Sequence, residues 1–232
     1  MINRPMIILA GGFGTRLKSV LNGLPKPLAN INGKPFIEYL FQNWIDKGFN
    51  NFILSLHYES DRIIDFINKN KQSLFKNCQI RCIVEPTPMG TGGAVSYIIK
   101  LLNIEDDIFI VNADTWIEQG YVEINDYSKD VIAVVKVKNT SRFGTVILNK
   151  NDQIIDFKEK LGLNTSGLIN AGLYKLNIKH FTDWNYKPYS IESNLFPSLV
   201  KKGLLYAKII DTNFIDIGIP EDYEIFCNIK LK

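Results

Sequence analysis

The first half of the chain alternates short unbroken apolar runs with stripes at helical spacing, and that alternation constrains the fold more than any other feature. Met6 to Ala10 is apolar throughout and ends in Gly11-Gly12, the pattern of a strand buried on both faces that feeds a loop. Pro35 opens a helix at its first position, with Phe36, Ile37, Leu40, Phe41, Trp44 and Ile45 on one stripe, and Gly48 ends it. Phe52 to Leu56, Ile80 to Val84 and Ile108 to Val111 read as further strands. Ser60 reads as the N-cap of a helix with Ile63, Ile64, Phe66 and Ile67 inward, and Gly92 to Leu102 as another helix. This order predicts an α/β fold whose central sheet is mostly parallel.

The second half has a different texture. Val131 to Val137, Thr145 to Leu148, Ile154 to Phe157 and Leu173 to Leu176 are short strand candidates, with Asn149-Lys150-Asn151-Asp152 as a hairpin turn. Ser190 to Lys201 reads as helix, Leu204 to Ile210 as strand and Pro220 to Ile229 as a closing helix. The later strands make the sheet mixed. With no repeat and no linker-like segment, the 232 residues are expected to form a single domain, with a nucleotide-side half to about residue 125 and a second half from about 126.

Composition excludes several classes. The 27 basic and 24 acidic residues give +3 without a Lys/Arg run, so no nucleic-acid face is expected. No apolar stretch reaches membrane-spanning length, and the N-terminal run is too short for a signal peptide. Cys78, Cys82 and Cys227, odd in number and irregular in spacing, argue for buried free thiols in a reducing, cytoplasmic setting.

Leu9-Ala10-Gly11-Gly12-Phe13-Gly14-Thr15-Arg16-Leu17 is the most informative segment. Closely spaced glycines let the backbone approach a ligand, and successive N–H groups make an anion-binding concavity. Thr15 adds a hydroxyl and Arg16 a fork suited to phosphate oxygens. The chemistry suggested is a polyphosphate held beyond a strand's carboxyl end. A Walker A loop is excluded because Gly33-Lys34 is followed by Pro35, and a dinucleotide fingerprint because Leu17 stands at the third glycine position. Leu24-Pro25-Lys26-Pro27-Leu28 follows, where two prolines restrict the directions open to the Lys26 ammonium. Such a fixed cation beside a triphosphate stabilises the charge of phosphoryl or nucleotidyl transfer.

These two segments, followed by Ile31-Asn32-Gly33-Lys34-Pro35-Phe36-Ile37-Glu38-Tyr39, resemble the sugar-1-phosphate nucleotidyltransferases over essentially the whole chain. The general likeness is to the guanylyltransferases that act on D-glycero-D-manno-heptose 1-phosphate in bacterial capsule and surface-glycan pathways. The resemblance implies a Rossmann-like, GT-A-like fold, GTP and a sugar 1-phosphate as substrates, and Mg²⁺ as cofactor. It implies that Leu9, Gly11, Gly12, Gly14, Thr15, Arg16 and Lys26 hold the triphosphate. Glu85-Pro86-Thr87-Pro88-Met89-Gly90-Thr91-Gly92-Gly93-Ala94 resembles the base-and-ribose motif, which implicates Glu85, Gly90, Thr91 and Gly92. A helix starting at a glycine pair offers free N–H groups, and a carboxylate suits the paired donors of guanine.

Asp114, in Asn112-Ala113-Asp114, matches the family's Mg²⁺-binding aspartate, with Ala113 in place of the usual glycine. Asp216, in Asp216-Ile217-Gly218-Ile219-Pro220-Glu221-Asp222-Tyr223, matches the second metal ligand, with Ile219 where threonine is common. Two carboxylates suit the all-oxygen preference of Mg²⁺. On the sugar-phosphate side the resemblance implicates Asn112, Glu159 and Lys160 (Leu161 replacing a proline), Asn170, Gly172 and Glu192. Tyr174, Trp44, Trp116 and Trp184 read as packing residues. The rivals are a uridylyl- or cytidylyltransferase for another sugar phosphate or phospho-alcohol, a non-catalytic nucleotide-binding subunit, and a glycosyltransferase using an NDP-sugar. A homo-oligomer is compatible with all of these.

Overall fold

Branched and aromatic apolar residues in unbroken runs cannot hide on one face, so they build strands covered on both sides. The computed structural model, which describes residues 4–12, 14–21, 23–160, 162 and 164–231, follows that logic from its first strand. Its early elements are β1 (Met6–Leu9), α1 (Lys18–Leu21), β2 (Asn30–Ile31), β3 (Lys34–Pro35), α2 (Phe36–Asp46), β4 (Asn51–Leu56), α3 (Ser60–Lys69) and β5 (Gln79–Val84). Then come α4 (Gly90–Leu102), β6 (Ile108–Asn112), β7 (Thr115–Ile117), α5 (Tyr121–Asn125), β8 (Val131–Val137), β9 (Thr145–Leu148), β10 (Ile154–Lys158) and β11 (Gly167–Leu176). The chain closes with α6 (Phe196–Lys201), β12 (Tyr206–Ile209), β13 (Phe214–Asp216) and α7 (Pro220–Ile229). The α/β class and a mixed, mostly parallel central sheet are as expected.

Two compact units emerge. The first comprises Met1–Pro88, Val111–Trp116 and Ile215–Lys232. In it β1 and β4 pair in parallel from Met6↔Phe52 to Leu9↔Ser55, and β4 and β5 from Asn51↔Gln79 to Leu56↔Val84. The loops after all three strands therefore leave the same end of the sheet, where α/β folds bind ligands. A separate apolar cluster joins Leu17, Leu21, Ala29, Ile31 and Phe36 to Trp116, Ile215, Ile217 and Phe226. Phe226 packs edge-on to Phe36 with centroids 5.0 Å apart and lies 5.4 Å from Trp116. This cluster draws three distant stretches of chain together.

The second unit comprises Met89–Ile110 and Ile117–Phe214. Here β10 pairs antiparallel with β9, β11 antiparallel with both β8 and β9, and β12 parallel with β8. The β9–β10 hairpin turns where expected: Asn149 Oδ1 accepts the N–H groups of Asn151 and Gln153 at 2.9 and 3.1 Å. The pairing of β11 with β8 shifts register between Asn170 and Tyr174, marking a β-bulge.

Several local expectations are corrected. Pro35 lies one residue ahead of α2, and Glu59, at φ 51°, caps α3 with Ser60 as its first helical residue. Strand β11 starts at Gly167, because Asn170, Ala171 and Gly172 interrupt the apolar pattern at the bulge and hide the strand's first half. The three cysteines are free but half-buried. Burial nonetheless pushes the Cys82 thiol from 9.0 to about 11. In a variant retaining only this cysteine, thiolate absorbance is expected to titrate near pH 11. Because the folded pKa is raised, the neutral thiol's contribution to stability is fully present below pH 9.0 and is lost as pH rises to about 11. A titration midpoint near 9 would remove that contribution. No helix among the described residues is long and apolar enough to cross a membrane.

Candidate active site

In the first unit the site is built from strand ends. Glu85 follows β5 and is buried, and its Oε1 accepts the Ser55 hydroxyl at 2.9 Å. A β-carbon on Gly11, after β1, would lie 3.0 Å from that same oxygen, so the Glu85 carboxylate sits against the glycine loop. His57 Nδ1 is 3.2 Å from the Glu85 carbonyl oxygen and donates to it. Gly12 faces open space. Gly14 has φ +60°, and a β-carbon there would sit 3.4 Å from Lys26 Cβ; the loop thus folds back onto the proline-flanked lysine. Thr15 and Arg16 lie in a single 3-10 turn, Thr15–Leu17, with Arg16 exposed. Phe13 and Leu161 lie outside the described residues.

Lys26 starts another 3-10 turn, Lys26–Leu28, closed by Leu28 N–H donating to Pro25 O at 2.8 Å. Its Nζ lies 2.7 Å from Asp114 Oδ2, with 12% of the lysine side chain and 35% of the aspartate side chain exposed. Burial pushes the Asp114 pKa up, but the charge and hydrogen bond of Lys26 outweigh it and leave the carboxyl below its usual value. The backbone around Asp114 is held on two sides. Ala113 N–H donates to Leu9 O at 3.0 Å, which occupies the Leu9 carbonyl, and Ile217 N–H donates to Asp114 O at 3.0 Å. The second bond brings the Asp216 segment alongside Asp114, although about a hundred residues separate them in the chain. Gly218 is needed beside it, since a β-carbon there would come within 2.6 Å of Asp216 Oδ1. Asn112 ends β6, half-buried.

The remaining candidates assemble in the second unit. Asn170 Oδ1 accepts the Gly172 N–H at 3.0 Å and its Nδ2 donates to the Tyr174 hydroxyl at 2.8 Å, which closes the β11 bulge. Asn170 N–H donates to Gly144 O at 2.9 Å. A β-carbon on Gly144 would lie 2.8 Å from Glu159 Oε2, so Glu159 belongs to the same cluster. Lys160, exposed and at φ 44°, has Nζ 3.1 Å from Glu159 Oε1. The Tyr174 hydroxyl also donates to Glu192 Oε1 at 3.3 Å. Burial, then the nearby Glu192 carboxylate, raise the phenol well above its usual pKa. Tyr174 is therefore more than the packing residue expected, and Gly144 is not among the sequence candidates, because its part rests on a missing β-carbon beside Glu159 and Phe157.

One expectation changes. The amides of the Gly92-Gly93 pair in the first turn of α4 are not open, because both donate to Tyr189 O, at 3.0 and 3.3 Å. A β-carbon on Gly92 would run into the Tyr189 ring. Thr91 Oγ1 donates to Glu192 Oε2 at 2.7 Å and so lies with the second unit's carboxylates.

A glycine loop beyond a parallel strand, with a stiffened lysine on a strand-end aspartate, defines an α/β enzyme that works on phosphate esters. The nucleotidyl transferase family model matches residues 5–229, and the chain belongs to that family. It is 35% identical over 222 residues, 95% of this chain and 97% of the other, to the D-glycero-alpha-D-manno-heptose 1-phosphate guanylyltransferase of Campylobacter jejuni. It is 34% identical to the protein of the same description from Aneurinibacillus thermoaerophilus, covering 94% of each chain. The crystal structure of HddC from Yersinia pseudotuberculosis complexed with GMP-PN superposes with a TM-score of 0.85 at 36% identity, covering 99% of this chain and 100% of that one.

Proposed function

We propose that the chain, working as one nucleotidyltransferase domain in the cytoplasm, transfers GMP from GTP to D-glycero-D-manno-heptose 1-phosphate. The products are the GDP-sugar, for capsule or surface-glycan synthesis, and pyrophosphate. The observation that carries this reading is the 2.7 Å Lys26–Asp114 pair beside the glycine loop. The full-length similarity to the two guanylyltransferases supports the substrates.

An oxygen of the sugar phosphate attacks the α-phosphorus, a new P–O bond forms, and the α–β bridging bond breaks with its electron pair leaving on pyrophosphate. A phosphate monoester is largely ionised at neutral pH, so no general base and no protein nucleophile are required. Catalysis is then positioning plus charge stabilisation. The backbone of Gly11, Gly12 and Gly14, with Thr15 and Arg16, cradles the triphosphate. Glu85 accepts from guanine, and Lys26 stabilises charge at the reacting phosphate. Lys160 holds the sugar phosphate, and Glu159, Asn170, Gly172 and Glu192 receive sugar hydroxyls.

The donor set also fits Mg²⁺. Asp114 and Asp216 are oxygen ligands brought together by the Ile217–Asp114 bond, and Asp114 already holds a cationic group. The ion would supply charge neutralisation at the phosphates. Gly218→Ala is expected to push the Asp216 carboxylate aside and lower turnover by about tenfold. Wild-type turnover and Mg²⁺ dependence in that variant would remove Asp216 from the site.

The function is tested by pyrophosphate release with Mg²⁺, crossing GTP, ATP, CTP and UTP against sugar 1-phosphates that include the manno-heptose. Turnover is expected with GTP and the heptose. Turnover with another pair keeps the reaction and discards the substrate. Nucleotide binding without turnover in any combination would favour a non-catalytic binding subunit.

A further inference from the structure

In the second unit one carboxylate is held by three hydroxyls from different parts of the chain. Glu192 lies on a π-helical turn, Ile191–Leu195, a rare local form that concentrates at functional sites. Its Oε2 accepts the Thr91 hydroxyl at 2.7 Å and the Ser190 hydroxyl at 2.8 Å. Among the described residues, its Oε1 accepts the Tyr174 hydroxyl alone, at a long 3.3 Å. The two hydroxyls on Oε2 are themselves anchored. Thr91 Oγ1 accepts Ile191 N–H at 2.8 Å, and Ser190 Oγ accepts the N–H groups of Glu192 and Ser193 at 3.1 and 3.0 Å. Each carboxylate oxygen has two acceptor positions. Oε2 is therefore saturated, and Oε1 keeps room for one donor such as a sugar hydroxyl.

The surroundings of Thr91 point the same way. Its single hydroxyl proton goes to Glu192, the amides that follow it go to Tyr189, and Gly92 is shaped to receive the Tyr189 ring. The Thr91 hydroxyl and the Gly92 and Gly93 amides thus receive the chain's own Tyr189–Glu192 segment.

We propose that the Thr91 hydroxyl is a positioning group for the acceptor sugar. It pins Oε2 of Glu192, which turns Oε1 toward a sugar hydroxyl. This rests on the reading of Glu192 as a sugar contact. The test is steady-state kinetics of Thr91→Val, Thr91→Ser, Ser190→Ala and Glu192→Gln, with KM measured separately for GTP and the sugar 1-phosphate.

Thr91→Val keeps the side chain's shape and removes the proton. It is expected to raise the sugar-phosphate KM by about tenfold, as befits one hydrogen bond to a charged group, and to leave the GTP KM unchanged. Thr91→Ser is expected to restore the wild-type value, which mere loss of packing would not predict. A raised GTP KM with an unchanged sugar-phosphate KM overturns the proposal. If Thr91→Val does not fold, Ser190→Ala, which removes the other hydroxyl on Oε2, decides by the same split. Glu192→Gln separates the two readings. An unchanged sugar-phosphate KM there overturns the Glu192 contact and the Thr91 role with it, whereas a raised value beside an inert Thr91→Val overturns the Thr91 role alone.

Discussion

Lys26→Ala is expected to lower kcat by about 10²–10³-fold while changing the GTP KM only a few-fold. The reason lies in how the ammonium is held. Proline on each side and a closed 3-10 turn set the backbone direction, and only 12% of the side chain is exposed, so the charge is placed before substrate arrives. A pre-placed cation contributes most where negative charge grows, at the departing pyrophosphate, and less to ground-state binding. Asp114 does not cancel this, because an ion pair still presents its positive end to a phosphate. Lys26→Arg is not a rescue: the guanidinium is broader and planar, and the turn fits a narrow amine. Single-turnover rates compared with GTP affinity separate the two effects, and unchanged turnover in Lys26→Ala removes the residue from the chemistry.

Asp114→Ala is expected to abolish Mg²⁺-dependent turnover, the largest effect foreseen. The substitution removes a carboxylate from beside the Asp216 segment while leaving the backbone bond from Ile217 N–H to the residue 114 carbonyl, and it strands the Lys26 ammonium without its 2.7 Å partner. Asp114→Asn preserves size and one acceptor oxygen but carries no charge, so it is expected to fold and to remain inactive. Titrating Mg²⁺ against both variants, with thermal melts to show that they are folded, makes the test. Full activity in a folded variant would sink the proposed metal role of Asp114.

Much of the framework was legible from short-range pattern. Met6 to Leu9, Asn51 to Leu56 and Ile108 to Asn112 are strands because nothing polar interrupts them, and α2 follows its stripe almost to the residue. β11 was half-seen because its bulge places Asn170 and Gly172 where an alternating strand would have apolar residues. β7 and β13 were missed because each has three residues and means nothing until it meets the other. The candidate site divides in the same way. The glycine loop, Lys26 and the two aspartates announce themselves by local composition and by their likeness to a family. Tyr174 and Gly144 do not, since their part depends on a hydroxyl and a missing β-carbon whose neighbours lie elsewhere in the chain.

By itself the sequence determined the longer strands and helices, the glycine loop after β1 and the identities of the charged groups, because propensity, periodicity and turn chemistry act over a few residues. Only the tertiary structure decided which of those groups meet. Lys26 finds Asp114 across 88 residues and Thr91 finds Glu192 across 101. The first meeting is favoured by parallel strand register and by the burial of Phe36, Trp116 and Phe226 in one cluster, and the second by the bonds from Gly92 and Gly93 N–H to Tyr189 O, none of which a local pattern encodes. The same cause gives the Thr91 hydroxyl its partner in Glu192, an acceptor that folding places 2.7 Å away and that no pattern around residue 91 announces.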